Sequence, residues 1–241
     1  MTAVEHLFET NAMLDVAVTR LDGQTVVDLG RRAAPPLPVL PALSDVLPDG
    51  LRRGSVVSVS GSISLLLALI GAASASGAWC ALIGLPRVSA EAAAEYGIDL
   101  SRLAVIPGAS AAGAAAWTTT VGALLDAVDV VVARPPARVV PGDARRLAAR
   151  ARAKESTFIP YYPSTSDVGW PNCDARISVR DVRWLGAEDG SGRLTRRRMT
   201  IEVGGRGKAA RGRSSVLWLP TAGGGAASVE PEARPLRLAA G

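Results

Sequence analysis

Gly50-Leu51-Arg52-Arg53-Gly54-Ser55-Val56-Val57-Ser58-Val59-Ser60-Gly61-Ser62-Ile63-Ser64-Leu65-Leu66-Leu67 is the stretch on which the reading of the whole chain turns. Pro48-Asp49-Gly50 signals a turn, and residues 55–60 form a short run rich in Val and Ser, the length of a buried strand. Gly61 ends the run, and residues 63–74 then continue as an apolar segment of helical length. A turn, a buried strand, one glycine and a helix make the first half of a βαβ unit.

The same alternation continues downstream. Residues 79–85 read as a strand, and Ser89 as the N-cap of a helix with Glu91 early in its first turn. Strands are predicted at 103–106, 128–133 and 157–159. Helices are predicted at 111–127 and from Pro141-Gly142-Asp143 to about Ala153. Short links between alternating elements indicate a parallel sheet with helices on its faces. At about Asp174 the pattern changes: runs at 175–184, 194–203 and 215–219 alternate apolar and polar residues without intervening helices. These read as antiparallel strands added to the edge of the same sheet. The expected architecture is an α/β core at 42–220, preceded by an extension at 1–41 and followed by a flexible tail at 221–241. The extension ends in a Pro-rich connector holding Pro35, Pro36, Pro38 and Pro41, with a helix candidate at 4–14 and a small strand at 25–29.

Composition narrows the setting. Nearly half of the 241 residues are hydrophobic, enough for a substantial core, and the net charge of +5 is carried almost wholly by arginine, since lysine occurs only at 154 and 208. Such a balance suits an acidic partner, nucleic acid or protein, and equally a GC-rich genome that favours Arg codons. Cys80 and Cys173 fit no metal-ligand spacing, so a reducing cytoplasmic location is expected. Residues 55–86 carry no charge and are long enough to cross a bilayer, but glycines divide them into strand-, helix- and strand-length pieces.

A strand feeding a glycine and then a helix invites comparison with a phosphate-binding loop. There, several glycines shape a nest of backbone N–H groups, a lysine reaches the terminal phosphates and a Ser or Thr holds Mg²⁺. Here the link is short, Gly61 stands alone and no lysine is near. Gly205-Arg206-Gly207-Lys208 follows a strand but precedes no helix and lacks the hydroxyl residue, so it is no substitute.

In the order and spacing of its elements the chain resembles the RecA recombinase core. The likeness rests on residues 50–61, 77–103 (with Glu95-Tyr96-Gly97-Ile98-Asp99-Leu100), 129–134 and 174–185. What the resemblance implies can be checked position by position. The phosphate-loop lysine is missing beside Gly61 and Ser62. The water-activating carboxylate falls at Pro86, the Walker B acid at Arg134, and the nucleotide-sensing Gln near Tyr161. Phosphoryl transfer relies on positioning and charge neutralisation by those groups, so the expectation is a protein without ATPase activity, nucleotide cofactor or metal. Among RecA-like proteins without a working loop, the chain resembles the ImuA family, in its actinobacterial ImuA-prime branch. The likeness is carried by the long N-terminal segment, the collapsed 60–64 loop, the 158–163 run and the basic antiparallel end. The resemblance implies an adaptor in an SOS-induced translesion synthesis complex. Its expected partner is an ImuB-like inactive Y-family polymerase and, through it, an error-prone C-family polymerase and the sliding clamp. Two alternatives are a DNA-binding accessory that binds or antagonises RecA, and a divergent NTPase.

Other chemistry is sparse. His6 is the single histidine, which leaves no base for a nucleophilic triad. The carboxylate pairs Asp126/Asp129 and Glu188/Asp189 read as solvated charges. Arg193, Arg196, Arg197, Arg198, Arg206, Lys208, Arg211 and Arg213 crowd a segment in which Glu202 is the single acid. Alternation along a strand sends Arg196 and Arg198 to one face and Arg197 to the other. Such a patch suits DNA phosphates, an acidic protein or a charged edge that resists aggregation. Arg146, Arg150 and Lys154 share a helix face expected to be solvated. Trp79 and Trp117 are expected in the core, as are the aromatics Tyr161, Tyr162 and Trp170.

Overall fold

The computed structural model describes residues 15–21, 24–30, 34–86, 88–108, 113–165, 169–188 and 191–229. The chain divides into two units, Met1–Pro35 and Pro36–Gly241. In the first, β1 (Asp15–Leu21) and β2 (Gln24–Gly30) pair as an antiparallel hairpin. The sequence suggested one small strand where two pair; the helix candidate at 4–14 lies outside the described residues.

The second unit is built on a nine-stranded sheet. Its strands are β3 (Val57–Ser60), β4 (Cys80–Ile83), β5 (Leu103–Ile106), β6 (Val130–Ala133), β7 (Thr157–Tyr162), β8 (Ala175–Glu188), β9 (Ser191–Gly205), β10 (Arg213–Trp218) and β11 (Ala227–Ser228). They lie in the order β11-β10-β9-β8-β3-β7-β6-β4-β5. Strands β3 to β8 are parallel, and β9, β10 and β11 extend the sheet antiparallel from β8. This is the mostly parallel α/β sheet with an antiparallel C-terminal edge that the alternation predicts.

Helices cover both faces of the parallel part. α1 (Ile63–Ala75) and α2 (Ala90–Glu95) pack on one face, where Leu65, Leu69, Ile70 and Tyr96 join Val57, Val59, Leu82 and Val132 in one apolar layer. α1 is apolar nearly all round and is accordingly buried. α3 (Ala114–Ala127) and α4 (Pro141–Lys154) cover the other face, where Trp117, Val121, Leu125 and Leu147 meet Val131, Phe158 and Trp170. Phe158 and Trp170 contact edge to face at 5.1 Å, within the favourable range for aromatic pairs. Ser89 caps α2 as the sequence predicts, its Oγ accepting from the N–H of Ala92 at 3.1 Å.

Three expectations change. Trp79 is 46% exposed, outside the core, with the Arg102 guanidinium 5.9 Å from its ring. The core begins earlier than residue 42, because Leu37 is buried and exchanges both backbone bonds with Leu51. The segment from Thr221, expected to be a flexible tail, closes a turn in which Thr221 N–H donates to the Gly225 carbonyl, and β11 then pairs with Leu217 and Trp218. The described core thus runs on to Val229.

Two predictions follow from the packing. A Cβ at Gly71, in the middle of α1, would stand 2.0 Å from the Tyr96 carbonyl oxygen. Alanine is the better helix former, yet Gly71→Ala should lower stability by about 1–3 kcal/mol in urea denaturation, because backbone meets backbone there. Burial pushes the Cys80 thiol up to about 12, with the Asp129 charge adding to the effect. The folded state therefore holds its proton above the unfolded value of 9.0, and this contribution to stability, complete below pH 9, is lost as pH rises toward 12. Between pH 8 and 10, Cys80→Ala should remove about 1 kcal/mol of the alkaline fall in stability measured by urea denaturation.

Candidate functional site

In open α/β sheets ligands bind beyond the carboxyl ends of the parallel strands, where successive crossovers diverge. In this chain that place lies beyond β3, β4, β6 and β7. The link from β3 to α1 consists of Gly61 and Ser62 alone. Gly61 has φ +93° and donates its N–H to the Tyr162 carbonyl, 3.0 Å away. A Cβ there would lie 2.7 Å from Thr165 Cγ2 and 3.4 Å from Val179 Cβ, so side chains already fill the space around the turn. Two residues cannot form the nest of amides that surrounds a phosphate chain.

Ser62 is the N-cap of α1, its Oγ accepting from Leu65 N–H at 3.3 Å. The same oxygen accepts a second bond, 2.9 Å long, from the Nη2 of Arg197 on β9. Arg197 Nε donates to the Leu219 carbonyl at 2.9 Å, and its guanidinium lies 5.1 Å from the Trp184 ring. None of these partners is a carboxylate. Burial lowers the Arg197 pKa, and the neighbouring Tyr96 and Tyr161 partly offset this. Burial likewise raises Tyr96 and Tyr161. The head of α1 is therefore occupied by a half-buried guanidinium delivered from the antiparallel edge.

The other degenerate positions surround this point. Pro86 is exposed after β4 and Arg134 is exposed after β6, where its N–H donates to the Ile83 carbonyl. Tyr161 is buried near the end of β7. A cleft of about 600 Å³ borders Gly61, but it opens between Thr165 and β8, toward Arg180 and Asp181. Among the described residues no group of three or more His, Cys, Asp or Glu is placed to hold a metal ion.

Acids gather instead at the amino ends of the strands. Asp129, before β6, bonds Arg53 Nη1 at 2.6 Å and accepts from Trp79 N–H at 2.9 Å. Asp174, before β8, accepts from Val56 N–H at 2.9 Å and faces Arg52 at 3.6 Å. Asp126 is bonded by Arg150, so the expected Asp126/Asp129 pair is separated into two structural ion pairs. Asp189 lies outside the described residues.

The predicted basic segment is divided by the strand pleat. Arg196 and Arg198 stand on the face away from α1, Arg196 lying 4.3 Å over the Trp218 ring, while Arg197 turns toward α1. Arg193 is exposed nearer the β8–β9 turn, and Arg206 bonds the Asn172 side-chain oxygen at 2.5 Å. Lys208 and Arg211 belong to the turn Gly207–Arg211, and Arg213 opens β10. The sequence reading missed Arg176, Arg180 and Arg183 of β8. For Arg176 and Arg180, alternation with Ile177 and Val179 was the available signal; Arg183 is in phase with those apolar residues and reaches the face only through the bulge after Arg180.

A profile described as the MT3502 N-terminal domain matches residues 45–171, more than half of the chain. The chain belongs to that family. The match runs from before β3 to beyond β7 and stops short of the arginine-bearing edge. A relative is the uncharacterized protein Rv3395c of Mycobacterium tuberculosis (strain ATCC 25618 / H37Rv), 37% identical over 142 residues. That match covers 56% of this chain and 64% of the relative, so the chain spans less than two thirds of that protein's length. Among solved structures the chain is similar to the RadB recombinase, with a TM-score of 0.56 and 15% identity, over 79% of this chain and 97% of that one. At that identity the likeness concerns the fold, which is RecA-like.

The two neighbouring arginines should behave differently. Arg197→Met leaves the Leu219 carbonyl without its side-chain donor and should cost about 1–3 kcal/mol in urea denaturation. Arg198→Met, on the solvent face, should change stability by no more than about 0.5 kcal/mol.

Proposed function

We propose that the protein is a RecA-like adaptor that does not turn over nucleotide, working in an SOS-induced translesion synthesis complex. Its partner in this reading is an ImuB-like inactive Y-family polymerase, which links it to an error-prone C-family polymerase and the sliding clamp. The observation that carries the reading is the Arg197–Ser62 contact at the head of α1. A phosphate loop depends on open backbone donors, a mobile lysine and a metal-binding acid. Here a guanidinium bonded at both ends, a two-residue link and Arg134 stand in those places. Among the described residues the sheet still has a helical layer packed on each face, and a scaffold kept without its phosphate machinery suits recognition of another protein. The resemblance to ImuA supplies the identity of that partner.

The test is co-expression of the full chain with an ImuB homologue, followed by size-exclusion chromatography with and without ATP and Mg²⁺. A complex that forms and elutes identically in both conditions is expected. No complex, together with ATP-dependent thermal stabilisation of the lone chain, would overturn the reading, since a ligand that binds the folded state raises its melting temperature.

A further inference from the structure

Among the described residues, α3 and α4 pack on β6 and β7 and leave the sheet face opposite α1 uncovered over β8, β9 and β10. Residues pointing the other way, among them Ile177, Val179, Met199, Ile201 and Leu217, are buried against the α1 side. The bare face carries Arg176, Arg180 and Arg183 from β8 and Arg196 and Arg198 from β9. The pairings Arg180 with Thr200 and Arg183 with Arg198 keep them together across a bulge. Glu202 is bonded to Arg180 at 2.5 Å. Among the described residues, no carboxylate lies within ion-pair distance of Arg176, Arg183 or Arg198. Trp218, directly opposite Arg198, stands on the same face under the Arg196 guanidinium. A cleft of about 760 Å³ continues the face past Arg176 toward Arg206 and Arg213.

We infer that this face binds single-stranded nucleic acid, its arginines meeting the phosphates and Trp218 with Arg196 offering a surface on which a base stacks. Same-face residues on a strand are about 7 Å apart and adjacent strands about 4.8 Å, so the charges form a two-dimensional array and not a line. Guanidinium groups suit phosphate because their fixed forks donate two parallel hydrogen bonds. A protein partner would need a broad apolar anchor, whereas the aliphatic side chains on this face are the half-buried Val216, opposite Thr200, and Leu185, opposite Arg196, set among Ser178, Thr200, Ser214 and the Arg180–Glu202 pair. A duplex fits less well, because three strands backed by a buried core are wider than a major groove of about 12 Å. An unpaired strand lying across the sheet meets neither obstacle, and stacking on an aromatic ring is available to any base.

The test is fluorescence anisotropy of a labelled oligothymidine of about 30 nucleotides with the full chain, titrated between about 50 and 200 mM salt. Binding that weakens with salt is expected. R176Q/R183Q/R198Q should weaken it by at least about tenfold and reduce the slope of log affinity against log salt by about 2, at roughly 0.7 per phosphate contact. Trp218→Leu should weaken it by at least about fivefold, with circular dichroism and the melting temperature confirming that both variants remain folded. If the triple variant does not fold, each single Arg→Gln substitution should lower the slope by about 0.7. The inference is overturned if the wild-type chain shows no binding at about 50 mM salt, or if the folded Arg→Gln variants bind as well as wild type. Tighter binding of a matched duplex, or displacement of the oligonucleotide by an equal concentration of polyglutamate, would also overturn it.

Discussion

The contact between Arg197 and Ser62 ties together parts of the chain separated by more than a hundred residues. It requires β8 to run on past the end of β3, and β9 to return in register so that Arg197 faces α1. It also requires the β3–α1 link to be short enough for Ser62 to be both N-cap and acceptor. A guanidinium at the amino end of a helix sits against the positive end of the helix dipole, an arrangement that carries an electrostatic cost. Here that cost is offset by the Ser62 oxygen, the Leu219 carbonyl and the face of Trp184. The antiparallel edge is thereby fastened to the point where a RecA-like fold would otherwise present an open loop.

The acids that brace the parallel strands stand at their amino ends, away from the edge where a phosphate-bound metal would be sought. At the carboxyl ends of the strands stand Arg134 and Arg197, where a Walker B acid and a phosphate loop would be sought. At the amino ends Asp129 and Asp174 each accept a backbone N–H and face an arginine. Carboxylates bonded in this way hold strands in register, and they are remote from any place where a metal-bound phosphate could sit. Shared architecture with the RadB recombinase therefore leaves the chemistry to be argued from the residues themselves.

Much of the fold was legible because its signals are local. A run such as Val130–Ala133, β-branched at three positions and bounded by turns, reads as a buried strand, and Ser89 reads as an N-cap from its neighbours alone. The basic face was only partly legible. Arg196 and Arg198 followed from the two-residue period, but Arg176, Arg180 and Arg183 join them only through the pairing of β8 with β9 and the bulge between Arg180 and Arg183. A bulge changes which residues share a face, and it depends on the partner strand as much as on sequence. Trp79 was misplaced for a related reason: its neighbours Ala78 and Cys80 are buried, but Trp79 itself precedes β4, where its N–H is held by Asp129 and its ring remains in solvent. β11 escaped notice because a two-residue strand has no period at all.

Arg196, Arg197 and Arg198 show how little composition says about role. Three consecutive identical residues give a sequence no reason to distinguish them, yet the pleat sends the middle one into the protein and the outer two into solvent. The inward guanidinium loses much of its hydration and is held by fixed dipoles, so its worth lies in joining β9 to α1. The outward pair keep their water and remain available to an external anion, which would release counterions on binding. Placing Arg197 at the head of α1 and charging the opposite face are therefore two results of one strand register. A one-residue slip of β9 would exchange the two sets, exposing the Ser62 cap and burying both Arg196 and Arg198. That penalty ties the register of the edge hairpin to its electrostatics as well as to the apolar Met199, Ile201 and Val203 that follow.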